Sequence, residues 1–176
     1  IEIKDAKEIY EIIIKEGKNL NLSRCGSHAM DTMRMESGFL HWGHDISPEE
    51  NQYEAGLNFA ISYKKDFNFI GKNALLKLKD KPNTKKLVML SLKDSKPGFP
   101  LLLHDEPIYI DNKIVGRTTS GNYSFNFKKN LSFGYIENLF STEELLNKNI
   151  YIEVAKKKYS AVIETKPLKE KEIRFS

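Results

Sequence analysis

Hydrophobic and polar positions along this chain follow two different periods, with a change near residue 80. Before the change, apolar residues recur at helical spacing, which predicts helices over residues 5–16, 27–37 and 72–79. After it, apolar and polar residues alternate with a period of two, the spacing of strands with one buried face. This alternation predicts six strands, over residues 86–92, 107–110, 114–120, 131–136, 150–155 and 159–164.

The second half of the pattern indicates a small all-β unit. Asp111, Asn112 and Lys113 have the composition of a tight turn, which predicts a hairpin between the second and third strands. Residues 142–147 begin with a capping threonine and predict one helical turn. Six short strands with one such turn favour a small antiparallel barrel or a sandwich. We therefore place a domain boundary between residues 82 and 83.

The region from residue 33 to residue 59 is harder to assign. Alternation at Leu57, Phe59 and Ile61 predicts a strand, and residues 39–42 read as a short extended segment. In the helix before it, Met30 and Met33, together with Ala29, are expected to form the buried side. Gly17 is expected to end the first helix in a left-handed conformation.

Residues 33–59 also concentrate the side chains that pockets use. They contain the single Trp of the chain, two of its four His and several glycines. His41 and His44 alone do not supply the three or four ligands that zinc takes, so no metal site is predicted. Cys25 has no identifiable base and reads as a buried structural residue, and no glycine-rich phosphate loop is present. The two histidines are therefore interpreted as architecture.

Composition excludes several classes of protein. The hydrophobic fraction of 40% and charged fraction of 30% are ordinary for a soluble globular protein. No apolar run is long enough for a membrane span. The net charge is +4, with −1 in residues 1–82 and +5 in residues 83–176, but its one lysine run, 156–158, reads as a hairpin turn rather than a nucleic-acid stripe.

The chain's ends and its cysteine content suggest its context. A lone cysteine permits no internal disulfide, which favours a reducing compartment and a cytoplasmic location. The first residue is Ile1 rather than an initiator Met, and a helical pattern is already under way there. We therefore expect the chain to be a fragment of a longer protein.

Several residues in the pocket-rich region have two interpretations. Arg34 either reaches a ligand or pins its helix to neighbouring elements. Trp42 and Phe59 are commonly core residues, although their small and polar neighbours are typical of a pocket wall. The segment 118–121 is either an ordinary bulge or a place where backbone closely approaches another group.

Four sequence blocks resemble the folate-binding half of the glycine cleavage T-protein superfamily. They are residues 30–38 (MDTMRMESG), 42–46 (WGHDI), 54–57 (EAGL) and 69–75 (FIGKNAL). Residues 116–124 (GRTTSGNYS) and 131–136 (LSFGYI) are similar to the C-terminal barrel of that superfamily. The resemblance implies an α+β fold in which the end of a folate-binding α/β domain, residues 1–82, is followed by a small antiparallel β-barrel, residues 83–176.

Two positions favour one branch of the superfamily. T-proteins usually have Arg where this chain has Met30 and Tyr where it has Trp42. Met and Trp at these positions resemble dimethylglycine and sarcosine dehydrogenases, which are flavoproteins with a T-protein-like module at their C-terminus. The resemblance then implies that an upstream FAD domain oxidises a small methylated amine, and that tetrahydrofolate captures the one-carbon unit as methylene-tetrahydrofolate.

The resemblance also implies which residues contact folate. The family's catalytic and main pterin-binding carboxylates lie upstream of this sequence, so no catalytic residue is expected in it and the isolated chain is expected to be inactive. Cofactor contacts carry over to Phe59, Trp42, Arg34 and Glu54, and to Arg174 near the end of the chain. The expected partners are folate, a methylated amine and the upstream flavin domain, with no nucleic acid or membrane.

Two other functions remain open from the sequence. A free-standing aminomethyltransferase or a related folate-dependent demethylase would use the same module without a flavin domain. A non-catalytic folate-binding or interaction module would have lost the upstream carboxylate.

Overall fold

The computed structural model of the chain describes residues 1–64 and 67–168. Clustering of contacts divides the chain into two compact units, Ile1–Met30 and Asp31–Ser176. The helices are α1 (Ala6–Gly17), α2 (Ser27–Glu36), α3 (Lys72–Lys79) and α4 (Thr142–Leu146), and the strands are β1 (Lys85–Leu92), β2 (Pro107–Ile110), β3 (Lys113–Ser124), β4 (Lys129–Glu137), β5 (Ile150–Val154) and β6 (Lys157–Glu164). The domain boundary at residues 82 and 83 stays a prediction.

The first unit contains a 3-10 helix, Ile3–Asp5, then α1 and the turn that follows it, and it ends within α2. The prediction that Gly17 ends α1 in a left-handed conformation is wrong, because Gly17 has φ −73° and remains helical. A side chain there would meet Leu22, since a Cβ atom on Gly17 would lie 2.6 Å from Leu22 Cδ2. Asn21, with φ 56°, takes the left-handed conformation after one further 3-10 turn, Lys18–Leu20.

The second unit contains a closed antiparallel barrel, which decides the open choice between a barrel and a sandwich. Its strands are ordered β1-β4-β3-β2-β5-β6, and β6 returns to pair with β1. Each neighbouring pair is antiparallel, including the predicted hairpin of β2 and β3. Closure satisfies backbone hydrogen bonds on both sides of every strand and leaves no edge strand.

The barrel interior is filled by the alternate apolar residues of the strands. Leu90, Ile108, Ile136 and Ile152 are at most 1% exposed, and Leu102, from the loop between β1 and β2, joins the same cluster. The interior is therefore a packed core rather than a ligand channel.

The outer face of β1 and β4 is buried as well. Met89, Leu131 and Phe133 form a second apolar cluster with Met35 of α2. The predicted buried side of α2 is wrong, because Met30 and Met33 are 63% and 47% exposed. The buried residues of this helix are Thr32, Met35 and Glu36.

Strand β3 shows both of the features considered for residues 118–121. Its register with β4 shifts between Thr118 and Ser120, which marks a bulge. Gly121 also lies against the loop before β2, since a Cβ atom there would be 2.5 Å from Leu102 Cβ. A larger residue at position 121 would displace this loop from the barrel core.

The strand predicted around Phe59 is wrong. Asn58–Ala60 forms a 3-10 helix, with the Ile61 amide bonded to the Asn58 carbonyl oxygen. The extended segment before it is also nearly unpaired, because Trp42 makes only an isolated bridge to Ile46. The region between α2 and this 3-10 helix is therefore built from turns. Among the described residues, no helix is both long enough and apolar enough to cross a membrane.

Candidate functional site

A groove of about 540 Å³ lies between the turns that follow α2 and the outer face of the barrel. One side is formed by parts of residues 37–57, which we call the wall segment, together with Phe59. The volume falls within the range of small-molecule sites, roughly 300–1,000 Å³. The wall residues that line the groove are Ser37, Gly38, Phe39, Leu40, Ile46, Ala55, Gly56 and Leu57.

The floor of the groove is apolar and comes from the barrel. Leu87 and Met89 of β1 and Phe133 of β4 line it. Met89 and Phe133 are 8% and 3% exposed, because they pack on Met35 in the outer cluster. The floor is therefore apolar and fixed in place, and the half-buried Leu87 is the most accessible of these three side chains.

The third side is the end of β6 and the segment after it, Glu164 to Pro167. Ser91 Oγ donates to Glu164 Oε1 at 2.5 Å, and Lys129 Nζ lies 3.4 Å from the same oxygen. Gly38 has φ +75°, and a Cβ atom there would lie 2.6 Å from Pro167 Cγ. Glycine at position 38 thus allows the segment after β6 to lie against the wall.

Arg34 is bound entirely by groups of the chain itself. Its Nε donates to Asp31 at 2.6 Å, its Nη2 donates to Ser120 Oγ at 2.9 Å, and its Nη1 donates to the Phe39 carbonyl at 3.1 Å. Nη1 also donates to Asp45 Oδ2. The planar guanidinium uses its several donors at once, so it joins α2, the wall segment and β3.

Asp45 is the fully buried partner in this network, with no exposed surface. Besides Arg34, it accepts hydrogen bonds from the His41 amide at 2.9 Å and from Thr119 Oγ1 at 2.6 Å. Its backbone carbonyl accepts from Tyr135 Oη at 3.0 Å. Every acceptor of the buried carboxylate is therefore used, as burial of a charge requires.

The side chains of Tyr135 and Lys85 lie together beside the wall segment. Burial, followed by the nearby charges of Glu50, Asp45 and Glu54, raises the pKa of Tyr135 above its ordinary value, so the phenol stays neutral. The Lys85 ammonium lies 4.8 Å from the Tyr135 ring centroid. The aromatic ring thus helps to hold Lys85 beside the wall.

Glu50 ties the wall to the start of β1 through Lys85. The Lys85 Nζ lies 2.6 Å from Glu50 Oε1, and Ser47 donates to Oε2 through its amide at 2.9 Å and its hydroxyl at 2.6 Å. Burial would raise the pKa of Glu50, but the hydrogen bonds from Lys85 and Ser47 and the Lys85 charge hold it below its ordinary value. The pair lines a second, more polar cleft of about 470 Å³, with His44 and Arg117 among its other lining residues.

Glu54 makes the third polar link. It is 8% exposed, and its carboxylate accepts from the Asn51 amide and from Thr84 Oγ1, both at 3.3 Å. The Glu54 carbonyl accepts from the Leu87 amide at 2.8 Å. Glu54 therefore holds the wall against the residues that enter β1, and its neighbour Ala55 lines the groove.

The predicted cofactor-binding residues do not all come together. Phe59 lines the groove and is 77% exposed. Trp42 is 65% exposed in the turn between His41 and Ile46 and is not among the lining residues. Arg34 and Glu54 also lie outside the lining, with their side chains bound as described. Arg174 lies outside the described residues.

Sequence reasoning missed the part of the groove that comes from the barrel. Met89 and Phe133 alternate with interior residues, so the sequence shows that they point away from the barrel interior. The sequence does not show that Met35 covers this outer face and buries it. The signal for the segment after β6 was Pro167, which ends the strand pattern. Nothing in the local sequence links Pro167 to Gly38.

His41, His44 and Cys25, which were considered for metal and thiol chemistry, all lie within the described residues. No group of three or more His, Cys, Asp or Glu is arranged there to hold a metal ion. The rings of His41 and His44 contact each other, with centroids 4.7 Å apart. The interpretation of Cys25 as a buried residue is wrong, because it is exposed.

Comparison with protein-family models matches most of the chain. The "GCVT N-terminal domain" matches residues 1–65, and the "Glycine cleavage T-protein C-terminal barrel domain" matches residues 85–169. A solved aminomethyltransferase T of the glycine cleavage system from Bartonella henselae matches with a TM-score of 0.76 over 96% of this chain and 45% of that chain. At 21% identity, this likeness concerns the fold.

Curated relatives fall into more than one enzyme group. A 4-methylaminobutanoate oxidase (formaldehyde-forming) of Paenarthrobacter nicotinovorans is 39% identical over 75% of this chain, and the human mitochondrial dimethylglycine dehydrogenase is 34% identical over 94%. An aminomethyltransferase of Symbiobacterium thermophilum is 34% identical over 77%. The chain spans only 16%, 18% and 35% of the lengths of these three proteins.

Proposed function

Because the chain belongs to the glycine cleavage T-protein family, whose N-terminal and barrel domains match it in order, we propose that its groove forms one side of a tetrahydrofolate site. The family uses tetrahydrofolate, and this chain is an aminomethyltransferase-like module of it. The substrate and partners of the whole protein are part of the proposal.

One observation carries this function: an exposed phenylalanine and an apolar floor line the same groove. Phe59 is 77% exposed at the wall, while Met89 and Phe133 form the floor. A flat pterin buries its faces against such surfaces, and ring stacking adds to the burial.

The groups around the floor also suit the ligand. A pterin ring carries donors and acceptors on its edge, and the lining includes the polar residues Ser37, Glu164, Thr165 and Lys166. A site of this type needs few polar groups, placed at the rim of an apolar surface. The residues present therefore fit a bicyclic ring that lies flat and is recognised at its edge.

The residues of this chain bind and orient rather than react. The resemblance assigns the catalytic carboxylate to sequence that precedes residue 1, and tetrahydrofolate, when bound, supplies the acceptor of the one-carbon unit. Phe59 would fix the ring plane, and the apolar floor would exclude water from one face of the ring. Direct contacts of Trp42, Arg34, Glu54 and Arg174 with folate stay predictions.

Calorimetry with tetrahydrofolate on the full-length protein tests this assignment. Phe59→Ala removes one stacking face and is expected to weaken binding by about 0.5–1.5 kcal/mol beyond the lost contact area. Phe125→Ala is the matched control, because Phe125 is 72% exposed and lies outside the groove lining. It should leave the affinity unchanged.

The outcomes separate three cases. Weaker binding of Phe59→Ala with unchanged binding of Phe125→Ala supports the site. Equal affinity of both variants and the wild type removes Phe59 from it. Absence of tetrahydrofolate binding by the wild-type protein overturns the proposed function itself.

The parent enzyme is proposed to be an FAD-dependent dehydrogenase of dimethylglycine or sarcosine type. Met30 and Trp42 support this branch, and so does the similarity to dimethylglycine dehydrogenase over 94% of the chain. Equal identity to an aminomethyltransferase supports the alternative of a free-standing transferase or folate-dependent demethylase.

The visible absorbance spectrum of the purified full-length protein decides between these parents. A flavin spectrum and reduction of the flavin by dimethylglycine or sarcosine are expected. A colourless protein that binds tetrahydrofolate would support the free-standing transferase. A neutral residue in place of the upstream carboxylate would support a non-catalytic folate-binding or interaction module.

A further inference from the structure

The wall of the groove is made of turns rather than paired strands, and its backbone hydrogen bonds are mostly local. Residues 37–57 contain no helix or strand, and their isolated bridge joins Trp42 to Ile46. Turn bonds such as the one from the Phe39 amide to the Arg34 carbonyl, at 2.8 Å, shape this stretch locally, whereas side-chain bonds tie it to the barrel. Arg34 and Asp45 supply those bonds on this part of the wall.

Arg34 and Asp45 hold the stretch from Phe39 to Ile46 at both ends. Arg34 donates to the Phe39 carbonyl at 3.1 Å, and Asp45 accepts from the His41 amide at 2.9 Å. The Arg34–Asp45 ion pair joins these two anchors. Neither residue belongs to the groove lining, although both are bonded to residues in or beside it.

The same pair fastens the wall to the barrel. Arg34 donates to Ser120 Oγ at 2.9 Å, and Thr119 donates to Asp45 at 2.6 Å. Ser120 and Thr119 are adjacent on β3 at the bulge, where the register with β4 shifts. The Arg34 guanidinium also lies 5.7 Å from the ring centroid of Phe133, which forms part of the groove floor.

We propose that Arg34 and Asp45 are positioning residues for the ligand of this groove, and that they set its affinity without touching it. They hold the wall segment against β3, and β3 pairs with the floor strand β4. In this way they fix the distance between the wall and the floor. The inference rests on the proposed folate site. It replaces the direct contact of Arg34 with folate by an indirect role through Asp45.

The test measures tetrahydrofolate affinity and amide hydrogen exchange in the full-length protein. Arg34→Met and Asp45→Asn are each expected to raise the dissociation constant about tenfold, within the roughly two- to thirtyfold that coupled residues change binding. Arg34→Lys keeps the charge and some donors, so part of the affinity should return. Exchange should become faster over residues 39–46 in Arg34→Met and Asp45→Asn.

Glu36→Gln is the matched structural control. Glu36 lies on the same helix and is 1% exposed, and it accepts from Ser124 Oγ at 2.5 Å and Asn126 Nδ2 at 2.8 Å. The Glu36→Gln substitution should lower the unfolding temperature without changing tetrahydrofolate affinity or amide hydrogen exchange over residues 39–46. A purely structural role of Arg34 would instead make its variants behave like Glu36→Gln.

Asp45→Asn also separates positioning from direct contact, because it leaves the Arg34 guanidinium in place. Unchanged affinity in Asp45→Asn, or an equal loss in Glu36→Gln, overturns the inference. If the wild-type protein does not bind tetrahydrofolate, the proposed function fails and the exchange data decide alone. Unchanged exchange over residues 39–46 in Arg34→Met would then overturn the positioning role, and faster exchange there would support it.

Discussion

The barrel strands pair along their length from Lys85 to Glu164, whereas the neighbouring wall segment, residues 37–57, has one isolated backbone bridge. The barrel core is apolar and closed by backbone hydrogen bonds. The wall is joined to the barrel by one backbone bond, from the Leu87 amide to the Glu54 carbonyl, and by side-chain links that include Asp45 with Arg34, Glu50 with Lys85 and Glu54 with Thr84.

Because of this difference, the barrel and the wall respond to different kinds of change. Removing side-chain volume from an apolar core lowers the free energy of unfolding, and the contribution of such a core does not depend on charge or pH. The wall carries charged side chains, and its Glu50–Lys85 link depends on pH because the pKa of Glu50 in the folded protein lies below its ordinary value. The wall side of the groove can thus be altered without unfolding the barrel.

Ile152→Ala should give the largest effect, because it creates a cavity in the barrel core. Ile152 is fully buried, so the free energy of unfolding is expected to fall by about 2–5 kcal/mol. Ile114→Ala, at a position on β3 that is 54% exposed, is the matched control and should change it by less than about 0.5 kcal/mol. Urea denaturation measures both, and similar losses in the two variants would contradict the assignment of the core.

Asp45→Asn tests the strongest link of the wall. Three donors point at the Asp45 carboxylate, and an Asn amide would present a fourth donor among them without the negative charge. The expected loss of unfolding free energy is about 1–3 kcal/mol. Asp105→Asn is its control, since the Asp105 side chain is 58% exposed. If both variants denature at the same urea concentration as the wild type, polar links do not hold the wall.

The Glu50–Lys85 link should give the smallest effect, visible as a pH dependence. The pKa of Glu50 in the folded protein lies below its usual 4.5, so the unfolded chain takes up this proton first as the pH falls. The link therefore stabilises the fold above about pH 5 and is lost as the pH drops through the folded-state pKa. The contribution is expected to be at most about 1 kcal/mol, because such pairs are partly solvated.

Glu50→Gln and Lys85→Met should both reduce this acid dependence. Denaturation curves recorded between pH 3 and pH 7 measure it as the slope of unfolding free energy against pH. A slope identical to that of the wild type in both variants would show that the link contributes nothing.

The fold of the barrel was predictable because its signal is local. All six strands were found from alternation, and β2 and its turn to β3 were placed correctly. Four of the other strands were predicted short by one to four residues at one or both ends, and β5 was predicted one residue too long. Strand β3 was predicted to end at residue 120 but continues to Ser124, and Gly121 within it allows the close approach of Leu102.

The wall resisted prediction because its structure depends on distant partners. Alternation at Leu57, Phe59 and Ile61 indicated a strand, but Asn58–Ala60 forms a 3-10 helix instead. The sequence also could not decide whether Arg34 contacts a ligand or pins its helix to neighbouring elements. Its barrel partner Ser120 is 86 residues away and becomes visible only in the fold.

The burial of Met89 and Phe133 against Met35 has a consequence for the evolution and engineering of this family. These barrel residues supply the groove floor, so the barrel contributes to the site as well as to the scaffold. A chimera that exchanged only residues 83–176 between two relatives would carry half of the cavity with it. Recombination at this boundary would therefore be a single genetic step that alters ligand preference while every wall residue stays the same.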